Sequence, residues 1–549
     1  MEAPLQQDSP KGGWKSATYI IGIGAAQRFA YYGLLGNLIT YLTDALHETT
    51  ATAAKNVNLW FGVATLLPLF GALIADSYLG RFKTILFSSL IFLMGLVMLT
   101  LSVSTVVPES FRRELFFLSI YMVAVGEGGH KPCVQTFGAD QFSEDKPEER
   151  KAKSSFFNWW NFGMSCGASA AMLIAIYVQD NVGWGVGFGI LVIAMTVALV
   201  LFLLGWRSYR RQASVGSPLT RVAQVFVAAA RKWHLPDSKG GGYGECAEDR
   251  RDGLAMEVQP SRTLAPTDQF RFLDKATIID DVDMSSTSRN KWRLCTVTQV
   301  EEVKLLLRLV PIWFSCLMYT VVFAQLSTFY TKQGSTMDRR IGSNFHVPAA
   351  SLQMSTTLVV IFSVTIYDRV LVPLARSFTG IPSGITMLQR IGVGLSISII
   401  TMVEAALVEG QRNRIAKQHG LVEQTNATVP MSVWWLLPQY MSSGVCDVFA
   451  AIGLQELFYD QMPDGMRSIG SAAFLSVYGV GSLLSSVIIS VVQSISSRFG
   501  DEWLGDNLNL AHLEYYYWVL AGLSSLWLAM YIGLAKSFVY KKVGGGVAA

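Results

Sequence analysis

The chain has 549 residues, of which 51% are hydrophobic and only 15% charged, whereas soluble domains carry roughly a quarter charged residues. Apolar stretch follows apolar stretch, which excludes a disordered, fibrous or small secreted protein. The formal net charge of +4 is a small excess, and no basic block has the density that nucleic-acid binding requires.

A helix that crosses a membrane needs about 20 mostly apolar residues. Six such stretches open the chain, near 16–43, 58–79, 84–106, 114–139, 156–178 and 184–206. The first is too long for the apolar region of a cleavable signal peptide. A polar stretch near 207–302 follows, with Gly240-Gly241-Gly242 and charges of both signs, and reads as a tether. Within it, residues 268–281 (DQFRFLDKATIIDD) are apolar enough to lie along the membrane surface or against the helix bundle; an ordinary solvated linker is the alternative. Six more stretches lie near 303–331, 347–373, 386–408, 432–459, 468–493 and 512–537. The expected fold class is an all-α membrane protein with twelve transmembrane helices. Two six-helix halves, 1–206 and 303–549, flank the 207–302 linker. Helices 4 and 10 both end in Asp-Gln, Asp140-Gln141 and Asp460-Gln461, where a repeat of two halves predicts a match.

With both termini in the cytosol, about 31 Lys and Arg residues fall on the cytosolic side and about 10 outside. Sixteen of the 31 sit in the linker, where the positive-inside rule is weak, so the working balance is about 15 against 10. This orientation puts the glycosylation acceptor pattern Asn426-Ala427-Thr428 in a non-cytosolic loop. The six cysteines, Cys133, Cys166, Cys246, Cys295, Cys316 and Cys446, have no metal-site spacing. None lies in an external loop, so no structural disulfide is expected. No metal, cofactor or enzymatic nucleophile–base set is expected either.

Charges in the bilayer core are costly and usually face a wet cavity or a partner. Those predicted within spans are Arg28, Glu127, His130, Lys131, Glu404, Asp447 and Glu456. Glu127 and Lys131 are four apart and share a helix face, and Pro132 loosens the backbone ladder beside them. A charged pair at a proline suits a site that must open. His130 points off that face. Glu404 reads as close to a helix end marked by Glu409, and Asp447 stands balanced between a structural pair and a cavity role. Tyr31, Tyr32, Trp313, Tyr319 and Phe323 have the size to line a roomy cavity, or to pack.

Between helices 2 and 3 the chain reads Gly71-Ala-Leu-Ile-Ala-Asp76-Ser-Tyr-Leu-Gly80-Arg81-Phe-Lys83. A tight turn is expected at Gly80, with Asp76 capping one helix end. Arg81 and Lys83 would bond facing helix ends in one state only, a gating latch. This run resembles the loop motif of the major facilitator superfamily in its peptide-transporter form. Phe156-Phe-Asn158-Trp-Trp-Asn161-Phe-Gly163 is similar to the F-Y-x-x-[IW]-N-x-G signature of those transporters. Arg28-Phe-Ala-Tyr31-Tyr32-Gly33 is similar to the second part of their E-x-x-E-R-F-x-Y-Y-G. With Gly128-Gly-His-Lys131-Pro132 and Gly453-Leu-Gln-Glu456-Leu-Phe-Tyr459-Asp460-Gln461, the set resembles the plant nitrate-and-peptide branch of the proton-coupled oligopeptide transporter family.

The resemblance implies two halves of a major facilitator fold rocking around a midplane site. It implies a substrate and proton cavity with Arg28, Tyr31, Tyr32, Glu127, Lys131, Phe323, Gln325 and Glu456, and a gating loop with Gly71, Asp76, Gly80 and Arg81. It implies a multi-pass protein of the plasma or vacuolar membrane whose partners are a small solute, protons and lipid. Here the chain departs from the pattern. The two helix 1 carboxylate positions are Gly24 and Gln27, which cannot titrate. No His stands near Phe323, where some plant nitrate carriers place a substrate-binding one. An Arg28 without its usual neighbours is costly in a low-dielectric cavity, and a bound anion would supply the partner through a bidentate fork. The expected solute is therefore a small anion or zwitterion: nitrate, a short peptide, or a carboxylate-bearing plant metabolite or hormone. Proton-coupled secondary transport leads. An uncoupled facilitator or channel-like carrier, and a nutrient sensor, are the alternatives.

The orientation is testable by cysteine labelling at positions 241 and 426. Labelling from opposite faces is expected, and labelling of both from one face refutes the twelve-span topology.

Overall fold

In the hydrocarbon layer a backbone must satisfy its own hydrogen bonds, which leaves helices as the way for apolar stretches of this length to cross. The computed structural model describes residues 12–142, 147–210, 218–234, 267, 269–279, 290, 292–342, 345–381, 384–424, 427–462, 467–500, 502–538 and 540. The first half comprises α1 (Gly13–Leu35), α2 (Thr50–Ile74), α3 (Arg81–Ser102), α4 (Glu109–Ala139), α5 and α6 (Trp184–Leu204). Helix α5 runs as Pro147–Ala170, a π-turn at Ala171–Ala175, and Ile176–Asn181. In the second half, α7 is Val297–Ser315 followed by Leu317–Phe323, bent by 44°. Helix α8 starts at Gln353–Ile366 and continues through Tyr367–Leu371 and Val372–Thr379. Then come α9 (Met387–Gln418), α10 (Leu437–Asp460), α11 (Arg467–Arg498) and α12 (Leu513–Lys536).

Eight of these helices, and a ninth when the bent α7 is one span, are long and apolar enough to cross a membrane. The three that fall short are α1, α4 and α10. They are the helices that hold Arg28, Glu127 with Lys131, and Asp447 with Glu456, and such charges lower their mean hydropathy. Helix starts follow capping chemistry: Thr296 and Thr386 form capping boxes with Gln299 and Gln389, each satisfying two otherwise orphaned N–H groups.

Twelve alternating spans place both ends of the chain and the linker on one side, the linker side; the opposite is the far side. Among the described residues, every hydrogen bond and ion pair between the halves lies toward the far side. Asn58 Nδ2 donates to Ser485 Oγ at 3.0 Å, and Lys55 Nζ to Gln493 Oε1 at 3.2 Å. Lys332 Nζ lies 2.9 Å from Asp44 Oδ1, and Ser351 Oγ donates to the Met172 carbonyl at 2.8 Å. Helices α2 and α11 meet at Gly62 and Gly479. A Cβ at Gly62 would sit 2.9 Å from the Gly479 carbonyl oxygen, so small residues set the approach of the helices, as in membrane bundles generally.

The described part of the linker is docked, not free. A helix over Pro218–Arg231 and a 3₁₀ turn over Arg271–Thr277 bury Val225, Ala228, Leu273 and Ala276 against Val300 and Val303 of α7. Lys304 Nζ, fully buried, reaches Asp274 Oδ1 at 2.7 Å and Glu301 Oε1 at 2.9 Å. Burial pushes the Asp274 carboxyl up, and the Lys304 ammonium opposes that shift. Of the two docked alternatives for residues 268–281, contact with the bundle is the one seen. Gly240-Gly241-Gly242 and Asn426 lie outside the described residues.

Helix α9 runs about ten residues past its expected end near 408. Glu409 does not mark the helix end; it is fully buried and held by Arg412, one turn on. Arg412 Nε donates to Glu409 Oε2 at 2.9 Å and Nη2 to Oε1 at 2.6 Å. The remaining donors reach Asn509 Oδ1 at 2.7 Å and the Leu508 carbonyl at 2.5 Å. Removing one partner of such a pair costs about 3–5 kcal/mol because the other charge is left buried and alone. Arg412→Ala should therefore shorten the thermal half-life of the purified protein sharply, and the double variant Glu409→Gln/Arg412→Met should recover much of the loss. An unchanged half-life for Arg412→Ala would show that the pair does not hold α9 to the loop before α12.

Candidate functional site

Arg28 and Gln27 lie in the second half of α1, and Glu127 and Lys131 lie near the middle of α4. Gln27 Nε2 donates to Glu127 Oε2. On the other side, Lys131 Nζ is 3.9 Å from Glu127 Oε1, too long for a hydrogen bond. The Glu127 side chain is 1% exposed and that of Lys131 21%, so the ammonium is the wet end of the group. The Arg28 guanidinium carbon stands 5.8 Å from the centre of the Tyr32 ring, a cation–π contact. Among the described residues no carboxylate lies within ion-pair distance of Arg28, although its charge acts on Glu127, His130 and Lys131.

The two non-titrating positions differ physically. Gln27 keeps the link between α1 and α4 by hydrogen bonding. Gly24 has no room for a side chain: a Cβ there would lie 2.7 Å from the Trp160 ring and 2.7 Å from the Met164 methyl. Trp160, from the aromatic run that opens α5, has taken the space. A carboxylate at position 24 is therefore excluded by packing as well as by sequence.

The second half faces this group with an aromatic–acid set. The Tyr319 hydroxyl, on α7, donates to Asp447 Oδ1 on α10. It also lies 3.0 Å from the Tyr478 hydroxyl on α11. The Phe323 ring packs edge-on to Tyr478 with centroids 5.4 Å apart. Tyr32 is within electrostatic reach of Tyr478 across the halves. Trp313 Nε1 donates to Ser476 Oγ at 2.9 Å on the same α11 wall. From the sequence Asp447 stands between a structural pair and a cavity role; Tyr319, three helices earlier in the chain, is the partner that singles it out.

Other expected residues go elsewhere. Glu456 is nine residues further along α10 than Asp447, roughly 13 Å nearer the linker side at 1.5 Å per residue. Its side chain is 48% exposed and paired with Arg390 Nη1 of α9 at 3.1 Å, while Arg390 also covers the Tyr367 ring at 4.2 Å. Gln325 is fully buried and donates to the Val321 carbonyl of its own turn at 2.8 Å, within the packed bundle. Tyr31 is buried and stacked on Trp60 at 5.5 Å, so it supports the wall while Tyr32 faces Arg28. His130 is buried, and Glu404 keeps one carboxylate oxygen buried without a partner among the described residues. In the loop motif, Gly80 has φ +74°, where glycine is favoured. Arg81 pairs with Asp140, the last-turn acid of α4, so in this state the contact lies within one half. Gly71 serves close packing: a Cβ there would lie 2.0 Å from the Gly128 carbonyl oxygen. The Asp76 side chain lies outside the described residues.

Comparison with known proteins agrees with this architecture. Residues 82–504 match the POT family. The chain is 52% identical to Protein NRT1/ PTR FAMILY 5.4 of Arabidopsis thaliana, over 97% of this chain and 96% of that one. It is 49% identical to Protein NRT1/ PTR FAMILY 5.10 of the same plant, covering 97% and 94%. An auto inhibited POT family peptide transporter has the same fold, with a TM-score of 0.70 at 20% identity over 97% of this chain and 99% of that one. A POT family transporter in complex with 5-aminolevulinic acid gives 0.66 at 13% identity, covering 97% and 99%. With its major facilitator fold of two six-helix halves, the chain belongs to the POT family of membrane transporters, in its plant NRT1/PTR branch.

Proposed function

We propose that the protein moves a small anionic or zwitterionic solute through the space between Arg28, Lys131 and Asp447 by alternating access. The observation that carries this reading is the pair of under-partnered cations: among the described residues Arg28 has no carboxylate within ion-pair distance, and Lys131 stands 3.9 Å from Glu127. Two cations in a low-dielectric wall favour an anion, and a guanidinium offers carboxylate or nitrate a bidentate fork. Asp447, across the gap, is the group for the ammonium of a zwitterion. The far-side seam supports alternating access, since it closes one entrance while no described contact joins the halves at the other. The membrane in question is the plasma or vacuolar membrane.

The same geometry supports a reading in which transport is proton-coupled. A bound anion draws on the positive charge of Arg28 and Lys131, the charge that opposes protonation of the buried Glu127. Glu127 would then take up a proton after the solute arrives, which is the order a symporter needs. Asp447 is the second acid, and it replaces Glu456 in that role because Glu456 is half-exposed and already satisfied by Arg390. The second reading is uncoupled facilitation, favoured by Gly24 and Gln27.

An uptake screen in a heterologous cell at two external pH values tests this, with nitrate, short peptides, carboxylate-bearing plant hormones and 5-aminolevulinic acid as first solutes. Accumulation against a gradient at acidic pH is expected, and its absence at every pH leaves only the facilitator. Glu127→Gln/Asp447→Asn should abolish pH-driven accumulation while exchange down the gradient persists; full accumulation would show that other acids couple. Arg28→Gln should raise the half-saturating concentration of an anionic solute about thirty-fold, the equivalent of about 2 kcal/mol for a lost charge-assisted bond. The same variant should leave a neutral solute nearly unaffected, and equal losses for both would argue against anion binding at Arg28.

A further inference from the structure

Tyr319 of α7, Asp447 of α10 and Tyr478 of α11 meet at one hydroxyl. The Tyr319 hydroxyl donates to Asp447 Oδ1 and lies 3.0 Å from the Tyr478 hydroxyl. A phenol has one proton to give and lone pairs with which to accept. While Asp447 is ionised, the Tyr319 proton goes to the carboxylate, the stronger acceptor. The contact between the two tyrosines then has one direction: the Tyr478 hydroxyl donates and the Tyr319 oxygen accepts. In such a chain each bond polarises the next.

Burial sorts the three residues. Tyr319 is 2% exposed and forms the hidden middle of the chain, whereas Tyr478 and Asp447 are both half-buried. Among the described residues Asp447 Oδ2 takes no hydrogen bond, and Tyr478 makes none beyond that to Tyr319. The Tyr478 ring is held in place: Tyr319, Phe323 and Phe474 stand edge-on to it, with ring centres 6.0, 5.4 and 5.5 Å away. Tyr478 is also within electrostatic reach of Tyr32, the ring beneath Arg28, so it stands on the side of the second half that faces α1.

The direction of the chain decides what Tyr478 can offer a solute. Its proton is committed to Tyr319, so what its oxygen has left is lone-pair capacity. Asp447 Oδ2 likewise only accepts, and it adds negative charge. Two acceptors without a free donor match the several N–H groups of one ammonium and turn away a carboxylate. We propose that Tyr478 is a specificity-determining residue: oriented by Tyr319, its hydroxyl oxygen accepts a hydrogen bond from the ammonium of a zwitterionic solute whose charge is met by Asp447. This rests on the reading of Asp447 under Proposed function, and adds to it a second acceptor and a polarity. The solute lies with its ammonium toward α10 and α11 and its anionic end toward Arg28 of α1.

Uptake by the full-length protein in reconstituted vesicles tests this with two matched pairs of solutes. Alanyl-alanine is compared with propionyl-alanine, and γ-aminobutyrate with butyrate; within each pair the molecules differ only in the ammonium. The reading is the ratio of half-saturating concentrations, des-amino partner over zwitterion. Tyr478→Phe keeps the ring and its three aromatic neighbours and removes only the hydroxyl. It should lower that ratio about ten-fold, the worth of one hydrogen bond to a charged group. Tyr319→Phe should lower it as well, because Tyr319 sets the direction of the Tyr478 hydroxyl. A ratio unchanged in Tyr478→Phe, whether both solutes weaken alike or neither does, overturns the proposal. Asp447→Asn separates it from the reading on which it rests. If Asp447→Asn abolishes the preference for zwitterions and Tyr478→Phe does not, Asp447 keeps its role and Tyr478 loses the one assigned here. If the wild type prefers neither zwitterion, or recognises neither pair, the ammonium reading of Asp447 falls and this proposal falls with it.

Discussion

Glu127 is a carboxylate enclosed by protein in the middle of a membrane-spanning helix, and the rest of the centre is arranged around that cost. An isolated charge there would be untenable. Gln27 supplies a hydrogen bond from α1, and Lys131 supplies charge from one turn away on α4, but without closing to contact. The carboxylate is therefore partly satisfied by a neutral donor that cannot titrate and partly by a cation that remains open to other partners. This is a different solution from the carboxylate-rich helix 1 of the wider family. Here, among the described residues, the Arg28 guanidinium stands over the Tyr32 ring with no carboxylate within ion-pair distance.

Close helix packing makes this arrangement rigid on one side and permissive on the other. Trp160 and Met164 fill the volume at Gly24, and Gly71 sits against the backbone at Gly128. Helices α1, α4 and α5 are thereby locked around the Glu127 group, and α2 is locked to α4. The cations belong to one rigid body and the opposing acid to another, so a solute that touches both reports on their relative position.

The fold was legible because apolar stretches of spanning length and a single long polar interruption leave little choice of architecture. The Glu127–Lys131 pairing was legible because residues four apart on a helix must share a face. What the sequence hid were contacts set by tertiary geometry. Asp447 and Glu456 are both acids on α10, and only the positions of Tyr319 and Arg390, on other helices, distinguish a central acid from a peripheral one. Glu409 looked like the end of a span because a charge in an apolar run usually is; its neutralisation by Arg412 and Asn509 depends on a loop nearly a hundred residues away. Gln325, adjacent to Phe323, turned into the bundle, because a half-turn of rotation at the end of the bent α7 decides which neighbour faces the cavity.

The distribution of strong and weak polar contacts separates what must stay from what must move. Inside the halves several charged pairs are short or buried: Arg412 with Glu409 at 2.6 Å, Arg390 with Glu456 at 3.1 Å, and Arg81 with Asp140. Between the halves the seam is made of neutral or partly exposed contacts, such as Asn58 with Ser485 and Lys332 with Asp44, laid over a glycine-lined approach at Gly62 and Gly479. A neutral hydrogen bond contributes on the order of 1 kcal/mol net, and an exposed ion pair about as much or less. A handful of these holds the far side closed by an amount comparable to what a well-bound solute can supply. Breaking them exposes hydroxyls, amides and glycine backbone, groups that water satisfies at once. Opening the Arg412–Glu409 pair would instead strand two charges in a dry interior. The seam is thus less costly to open than the pairs within each half, as the proposed alternating access requires.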